Sequence, residues 1–424
     1  MANIKLKNRQ NYLNRALAFR DTDLIKVITG VRRCGKSSLL QLIQDKIESE
    51  RVKGRAFVSL NLESKVCPVA TENELYTYFH DRLSSAGRTY IFIDEPQHID
   101  GWQTAVNAMR VDFDCDIYIT GSNAYLLSSE LSTYLSGRYV EVKMLPLVVE
   151  EYIDFCGLSF GGSSVATGTD GRVVLFDDLF ERYLRFGGMP AIASLSTTQE
   201  IHSAYLSGLY DAVAYRDVLN RERSLKQSRV TDAFLLEKVV TFLSDNIGNN
   251  LSMKGVADAL TSAGSKTTNK TVDSYVRALN EAYLFYKVDR FDLHGKEILI
   301  TNPKQYIVDL GLRSFLGGYR STDIGRVFEN AVYLQLLYSG WRVHVGKLYG
   351  KEVDFVAIKD GRTVYIQVTD EMMTDSTRER ELSSLRSIRD SYEKFVVVRQ
   401  GKHEADVEGI RILSAKDFFL GSIL

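Results

Sequence analysis

The strongest constraint on the fold of this chain is the segment G-V-R-R-C-G-K-S at residues 30–37, between an apolar run and a helical pattern. It fits the pattern G-x-x-x-x-G-K-[ST], in which backbone N–H groups and a helix N-terminus surround phosphate oxygens. Lys36 is predicted to reach the β- and γ-phosphates of ATP, and the Ser37 hydroxyl to ligate Mg²⁺. The predicted nucleotide-binding residues are Gly30, Val31, Arg32, Arg33, Cys34, Gly35, Lys36, Ser37 and Ser38.

Two acids end the third apolar run of the chain. Asp94 and Glu95 follow the apolar residues 90–93, and such a strand places both acids at the carboxyl edge of a parallel sheet, beside the phosphate loop. Asp94 is predicted to hold Mg²⁺ through water, and Glu95 to polarise the attacking water. The fourth run ends in Ser122-Asn123, and Asn123 is a candidate contact for the γ-phosphate and that water. Turn chemistry alone explains the Ser-Asn pair about as well.

The first third of the chain alternates apolar strand patterns with helical patterns. Strands that are apolar throughout and separated by helices predict a parallel sheet buried on both faces. Right-handed crossovers make it a doubly wound α/β domain. The predicted strands are 24–29, 56–61, 90–94, 116–120 and 139–144, with helices at 36–50, 72–84, 102–111 and 124–135.

Three further regions are predicted beyond the core formed by residues 1–146. Residues 147–229 are predicted to form a helical lid that contains a loop at 157–171. Residues 230–318 combine three helices with two short strands, which is a winged-helix pattern. Residues 319–424 are predicted to form a separate α/β unit.

Composition excludes several classes of protein. A hydrophobic fraction of 45% with 25% charged residues is ordinary for a folded chain and excludes wholesale disorder. The formal net charge of -1 excludes a uniformly basic coat protein but permits a local basic patch. Four scattered cysteines predict neither a disulfide framework nor a zinc site. Because signal-peptide and membrane-spanning patterns are lacking, a cytoplasmic location without membrane contact is expected.

Several sequence runs resemble one known family. The runs GVRRCGKSSLL, FIDEPQHIDGW, ITGSNAYLL and LSGRYVEVKMLPL are similar to a bacterial and archaeal family of AAA+-type ATPases. Members of that family carry a C-terminal domain of unknown function related to restriction endonucleases. RFGGMP and KEVDFVAIKDGRTVYIQV also resemble it, so the likeness covers nearly the whole chain. It implies a P-loop ATPase of the additional-strand class with sheet order 5-1-4-3-2. Gln97 and Trp102 match family positions without an assigned role.

Hydrolysis also needs positive charge near the γ-phosphate in the transition state, and three arginines are candidates. Arg138, before the fifth predicted strand, is the first choice, followed by Arg216 and by Arg33 in the loop itself. Each could equally form a surface ion pair. An arginine supplied by a neighbouring subunit would require a ring or dimer, and a homo-oligomer is therefore expected.

Local clusters of positive charge favour a DNA contact. The first 55 residues hold 13 Lys or Arg against 5 Asp or Glu, partly for the phosphate site. Lys266 and Lys270 lead into the candidate recognition helix, which carries Arg277, and such residues can touch DNA phosphates and base edges. The helix also carries Asp273 and Glu281, and winged helices often serve as protein docking modules.

The C-terminal unit matches a nuclease pattern only in part. Restriction-endonuclease folds use a helix Glu and then D-x(n)-[DE]-x-K, where the acids hold Mg²⁺ and the Lys helps to activate water. Glu329 and Asp354 match this pattern, but Gln367 and Thr369 replace the second acid and the Lys. Asp370 lies on the wrong side of the strand alternation, so a degenerate domain without cleavage activity is predicted.

The chain as a whole is therefore interpreted as a Mg²⁺-dependent ATPase that acts on or senses DNA through its winged helix and inactive nuclease-like domain. The alternative is an ATP-gated switch or scaffold for proteins, with little turnover and no nucleic-acid role. Glu95 favours the enzyme, because a pure switch has less need of a positioned base.

Overall fold

The computed structural model describes residues 6–83, 87–123, 135–161, 165–195, 198–220, 230–348 and 350–421. The chain divides into two compact units, one formed by residues 1–145 and 281–283 and the other by residues 146–280 and 284–424. The first unit ends one residue before the boundary predicted at 146, whereas the three further predicted domains share the second unit. Within the described ranges, no helix is both long and apolar enough to cross a membrane.

The first unit is built on a five-stranded parallel sheet. Its strands are β1 (Ile25–Thr29), β2 (Ala56–Asn61), β3 (Thr89–Asp94), β4 (Cys115–Gly121) and β5 (Tyr139–Lys143). The spatial order is β2-β3-β4-β1-β5. Read from the other edge this is 5-1-4-3-2, the order that the family resemblance implies. Strands β1, β3 and β4 are buried along their whole length, as the apolar patterns predict.

Helices accompany this sheet between its strands. They are α1 (Gln10–Leu17), α2 (Lys36–Glu48), α3 (Glu72–His80) and α4 (Trp102–Asp112). Helix α1 is additional to the sequence prediction. Phe79 of α3 and Trp102 of α4 pack with sheet residues in one buried cluster, so these two helices cover part of the sheet. The helix predicted at 124–135 lies, apart from Leu135, outside the described residues.

The second unit starts with a helical region that also contains a small sheet. The helices are α5 (Val149–Phe155), α6 (Phe176–Phe186), α7 (Pro190–Ser194) and α8 (Gln199–Asp211), followed by a π-helical segment, Ala212–Asn220. Three antiparallel strands lie between α5 and α6, namely β6 (Leu158–Phe160), β7 (Val165–Gly168) and β8 (Val173–Leu175). The prediction of a loop at 157–171 is therefore wrong, because strands this short carry too little apolar periodicity to be recognised.

The elements of the predicted winged helix are present, but its hairpin is not a separate wing. Helices α9 (Ala233–Asp245), α10 (Met253–Ser262) and α11 (Asn269–Glu281) precede an antiparallel hairpin of β9 (Phe285–Asp292) and β10 (Glu297–Ile307). Strand β9 also pairs in parallel with β11 (Arg342–Leu348). The hairpin is therefore one edge of a larger sheet.

That sheet has eight strands in the order β10-β9-β11-β12-β13-β14-β16-β15. The remaining strands are β12 (Lys351–Lys359), β13 (Arg362–Thr369), β14 (Glu393–Val398), β15 (Asp406–Val407) and β16 (Ile410–Ser414). Helices α12 (Leu310–Gly317), α13 (Ile324–Tyr338), α14 (Asp375–Arg386) and α15 (Ala415–Leu420) pack against it. Helix α12 is additional to the three helices predicted for residues 230–318.

Two glycines follow the last residue of helix α6, at a point where backbone segments pack tightly against each other. Gly187 has φ 79°, and the Gly188 N–H donates to Asp309 Oδ2 at 2.7 Å. The Gly188 carbonyl accepts from the Leu147 N–H, also at 2.7 Å. A Cβ on Gly188 would lie 2.1 Å from the Leu147 carbonyl oxygen. Because a side chain would displace backbone here, only glycine fits at this junction.

We expect Gly188→Ala to lower the free energy of unfolding by about 1–3 kcal/mol, the range for an overpacked site. Denaturant titration followed by circular dichroism measures it. Gly208→Ala is the matched control, since Gly208 lies on α8 with nothing within 4 Å of an added Cβ. This control should raise stability by about 0.5–1 kcal/mol. Equal stability of the two variants would contradict the packing described.

Candidate functional site

The loop at residues 30–37 connects the carboxyl end of β1 to the first turn of α2. Gly30 has φ 146°, and a Cβ there would lie 2.2 Å from the Met144 carbonyl oxygen, so the loop packs closely on the end of β5. Gly35 has φ 106° immediately before α2. Both positions need glycine, and the loop therefore curls in front of the helix N-terminus, where an anion is favoured.

Lys36 begins α2, and only 5% of the residue is exposed. Its Nζ donates to the carbonyl oxygens of Gly30 and Val31 at 3.1 and 3.3 Å. The same Nζ lies 3.8 Å from Glu95 Oε1. The ammonium is thus held at the phosphate loop and beside the candidate base, so the structure brings together the two residues that the sequence predicts to act on the same phosphate.

The side chains of the other predicted nucleotide-binding residues differ in their burial and contacts. Val31 and Cys34 are fully buried, and burial raises the pKa of the Cys34 thiol. Cys34 is therefore a packing residue rather than a nucleophile. The Arg32 guanidinium pairs with Glu63 at 3.1 Å, while Ser38 is exposed on α2.

Asp94 ends β3, and each of its carboxylate oxygens accepts a hydrogen bond from a neighbouring strand. Asn61 Nδ2 donates to Oδ2 at 3.0 Å, and Thr120 Oγ1 donates to Oδ1. Asn61 is the register partner of Asp94 on β2. Neither donor could be predicted from the sequence, because only the pairing of β2, β3 and β4 reveals them. Uncharged groups therefore orient the predicted metal ligand from both sides.

Glu95 follows in a left-handed backbone conformation, with φ 56° and ψ 56°. Its N–H donates to Thr120 Oγ1 at 3.1 Å. Its Oε2 accepts from Ser122 Oγ at 3.2 Å and from the Gln97 side-chain amide. Asn123 is buried next to Ser122 at the same edge of the sheet. The unusual backbone angle and these donors fix the Glu95 carboxylate at the carboxyl edge of the sheet.

Ser37 and Asp94 offer a hydroxyl and a carboxylate, which are ligand types that Mg²⁺ prefers. Ser37 is exposed on the first turn of α2. Each Asp94 oxygen accepts one protein hydrogen bond and keeps a second lone pair. The described part of the chain contains no group of three or more His, Cys, Asp or Glu side chains suited to a metal. These donors therefore fit a Mg²⁺ ion that phosphate oxygens and water help to coordinate.

The three candidate arginines occupy different places. Arg33 is an exposed loop residue with φ 65°. Arg138 precedes β5, and its carbonyl accepts from the Ile25 N–H at 2.9 Å, at the amino edge of the sheet. Five residues of strand at about 3.3 Å each separate the two edges, so Arg138 does not reach the phosphate loop of its own chain. Arg216 is exposed on the π-helical segment of the second unit.

The predicted recognition helix presents its lysines to solvent. Lys266 lies in the turn before α11 and Lys270 in its first turn, and both are exposed. Arg277 pairs with Asp273, four residues earlier on the same helix, at 2.7 Å. Lys266 and Lys270 are therefore accessible to an anion, whereas Asp273 partly neutralises the charge of Arg277.

The C-terminal sheet, with α13 and α14, lines an open cavity of about 540 Å³. Its lining includes Glu329, Asp354, Gln367, Thr369 and Asp370. The helix and strand positions of the nuclease pattern therefore meet in space. Gln367 Nε2 donates to Glu381 Oε2 of α14 at 3.1 Å, so a neutral amide bonded to an acid stands at the position of the second metal ligand.

Sequence comparisons find two family models and two related proteins that are similar to this chain. Residues 22–153 match the family described as AAA domain, and residues 177–323 match a domain of unknown function (DUF8612). An uncharacterized protein of Haemophilus influenzae is 36% identical over 415 residues, which cover 97% of this chain and 98% of that protein. An uncharacterized protein of Methanocaldococcus jannaschii is 28% identical over 390 residues, which cover 90% of this chain and 82% of that protein.

Solved structures show weaker likeness. The Aeropyrum pernix ORC1 protein in complex with DNA is 14% identical with a TM-score of 0.29, over 73% of this chain and 92% of that one. AMPPCP-bound DnaA from Aquifex aeolicus is 14% identical with a TM-score of 0.29, over 63% of this chain and 86% of that one. TM-scores this low support no argument from either protein. The AAA-domain match, in contrast, contains the phosphate loop, Asp94 and Glu95.

Proposed function

We propose that this chain, which belongs to the same family as the Haemophilus influenzae protein and contains an AAA domain, binds ATP with Mg²⁺ and hydrolyses it. The observation that carries the proposal is that Lys36 of the phosphate loop and Glu95, next to Asp94, lie together at one edge of a parallel sheet. A phosphate loop suffices for binding, whereas a fixed carboxylate beside it supplies the base that hydrolysis needs.

Each residue has a separate part in this reaction. Loop N–H groups and Lys36 bind the phosphates and offset the charge that develops during transfer. Glu95 orients a water for in-line attack and accepts its proton, and Asn123 contacts that water or the γ-phosphate. Ser37, and Asp94 through water, would hold Mg²⁺, which would supply further positive charge to the phosphate oxygens.

A homo-oligomer in the cytoplasm is part of the proposal. Arg138 is exposed at the sheet edge opposite its own phosphate loop, which suits a role in the site of a neighbouring subunit. Arginines supplied in this way stabilise transition-state charge in other NTPases. None of the four cysteines, which all lie within the described ranges, forms a disulfide, and this suits a reducing compartment.

Phosphate release from ATP by the full chain tests the enzymatic part of the proposal. Glu95→Gln should keep ATP binding and lower kcat by about 10²–10⁴-fold, the contribution typical of a general base. Glu48→Gln, which changes an exposed carboxylate on α2, is the control and should turn over like the wild type. Unchanged turnover by Glu95→Gln would refute the assigned base.

DNA is the proposed object of the ATP cycle. The order of three helices and a hairpin, with exposed Lys266 and Lys270 in front of α11, supports a contact with DNA phosphates. The pairing of Arg277 with Asp273 favours the alternative, in which the same surface docks a protein and the nucleotide site acts as a switch.

The double variant Lys266→Ala/Lys270→Ala should weaken duplex-DNA binding. The negative slope of log affinity against log salt concentration should become smaller in magnitude by about 2, near 0.9 for each lost phosphate contact. Fluorescence anisotropy at several salt concentrations measures both effects. Lys402→Ala, at an exposed position in another loop, should change neither. If double-stranded, single-stranded and branched DNA all fail to bind, the protein-docking alternative is preferred.

Residues 319–424 are proposed to form a restriction-endonuclease-like domain that does not cleave. The shared cavity of Glu329, Asp354 and Gln367 supports the fold relationship. The replacements at Gln367 and Thr369 support the loss of activity, because an amide is a neutral metal ligand and a hydroxyl carries no positive charge.

A further inference from the structure

A buried lysine meets the acids of the C-terminal cavity. Lys304 lies on β10, and its side chain is only 4% exposed. Its Nζ is 3.0 Å from Glu329 Oε1 and 2.8 Å from Glu352 Oε1. Tyr306, on the same face of the strand, donates its hydroxyl to Glu329 Oε1 at 2.5 Å. One ammonium therefore bridges a carboxylate of α13 and a carboxylate of β12.

The charges in this cluster depend on one another. Burial disfavours the charged form of Lys304, but the nearby acids, Glu329 first, outweigh it and raise the pKa of the ammonium. Burial likewise opposes ionisation of Glu352, yet Lys304 and Asn250 outweigh it and lower the pKa of that carboxyl. Burial and the charge of Glu329 hold the pKa of Asp354 well above its usual range. The contacts thus place one ammonium between the Glu329 and Glu352 carboxylates.

A divalent cation does not fit this arrangement. Glu329 Oε1 already accepts hydrogen bonds from Lys304 and Tyr306. The Glu352 carboxylate lies 2.8 Å from Lys304 Nζ and also accepts the Asn250 side-chain amide. An ammonium in contact with both carboxylates repels a divalent cation.

We propose that the Lys304 ammonium takes the place of the divalent cation of an active restriction-endonuclease-like site. The cluster of Lys304, Glu329 and Glu352 then links structural elements without a metal and has no role in cleavage. This inference rests on the restriction-endonuclease-like fold proposed above for residues 319–424. An ammonium has three donors and a full positive charge, so it neutralises carboxylates without a bound ion.

The Lys304 cluster connects elements that are predicted from the sequence to belong to different domains. Lys304 comes from the hairpin strand β10, whereas Glu329 and Glu352 come from α13 and β12 of the nuclease-like region. Asn250, in the connection between α9 and α10, donates its side-chain amide to Glu352 Oε2 at 3.0 Å. Ionic contacts at the former metal position therefore attach winged-helix elements to the nuclease-like sheet.

Mn²⁺ binding to the full chain without nucleotide, measured by electron paramagnetic resonance, tests this proposal. The wild type and Asp354→Asn should bind the same number of ions. Lys304→Met replaces the lysine with an unbranched, uncharged side chain that is one atom shorter, and it should bind one further equivalent, which Lys304→Met/Asp354→Asn should lose. Lys351→Met is the control, because Lys351 lines the same cavity but donates to the Ser383 carbonyl and the Ser387 hydroxyl.

A wild-type Mn²⁺ equivalent that disappears in Asp354→Asn would overturn the proposal, and so would a folded Lys304→Met that gains none. If Lys304→Met does not fold, the comparison of the wild type with Asp354→Asn decides alone. DNA cleavage is assayed in the same samples. Metal binding without cleavage contradicts this inference only, whereas metal-dependent cleavage that Asp354→Asn abolishes also contradicts the proposed inactive domain.

Discussion

Parallel strands all end at the same edge of a sheet, and the candidate ATP site depends on this constraint. Strand β1 leads into the phosphate loop, β3 ends at Asp94 and β4 leads to Ser122, so their polar groups converge. The strands themselves are buried and mostly apolar, apart from the ion pair of Lys26 with Asp116. Neighbouring strands then supply Asn61 and Thr120 as hydrogen-bond donors to the Asp94 carboxylate, the proposed metal ligand.

The strands of the first unit and the main residues of the candidate ATP site could be predicted, because they depend on residues that are neighbours in the sequence. All five strands of the first unit lie within one residue of the predicted ends. Three of them, β1, β3 and β4, are buried on both faces and mostly apolar, which makes a strand easy to recognise. Lys36 and Glu95 were found because a motif and a strand end suffice to identify them. Asn61 escaped, since its role depends on strand register. Lys304 escaped because the pairing of β10 is irregular between Leu299 and Lys304 and because its partners come from distant elements.

Two buried lysines show how similar side chains acquire different roles. Lys36 donates to two loop carbonyls and lies 3.8 Å from the nearest carboxylate oxygen, so a triphosphate offers it a stronger partner. Lys304 instead contacts two carboxylates directly and is neutralised by its own chain. The first arrangement suits exchange of a ligand, whereas the second suits permanent attachment of one element to another.

Titration of a non-hydrolysable ATP analogue with Mg²⁺ into the full chain tests the central claim, that the ammonium of the phosphate loop binds a triphosphate. Lys36→Met should weaken binding by about 10- to 100-fold, the value of a lost hydrogen bond to a charged group. Lys46→Met, which removes an exposed lysine from the same helix, should bind like the wild type. Equal affinity of Lys36→Met and the wild type would contradict the claim.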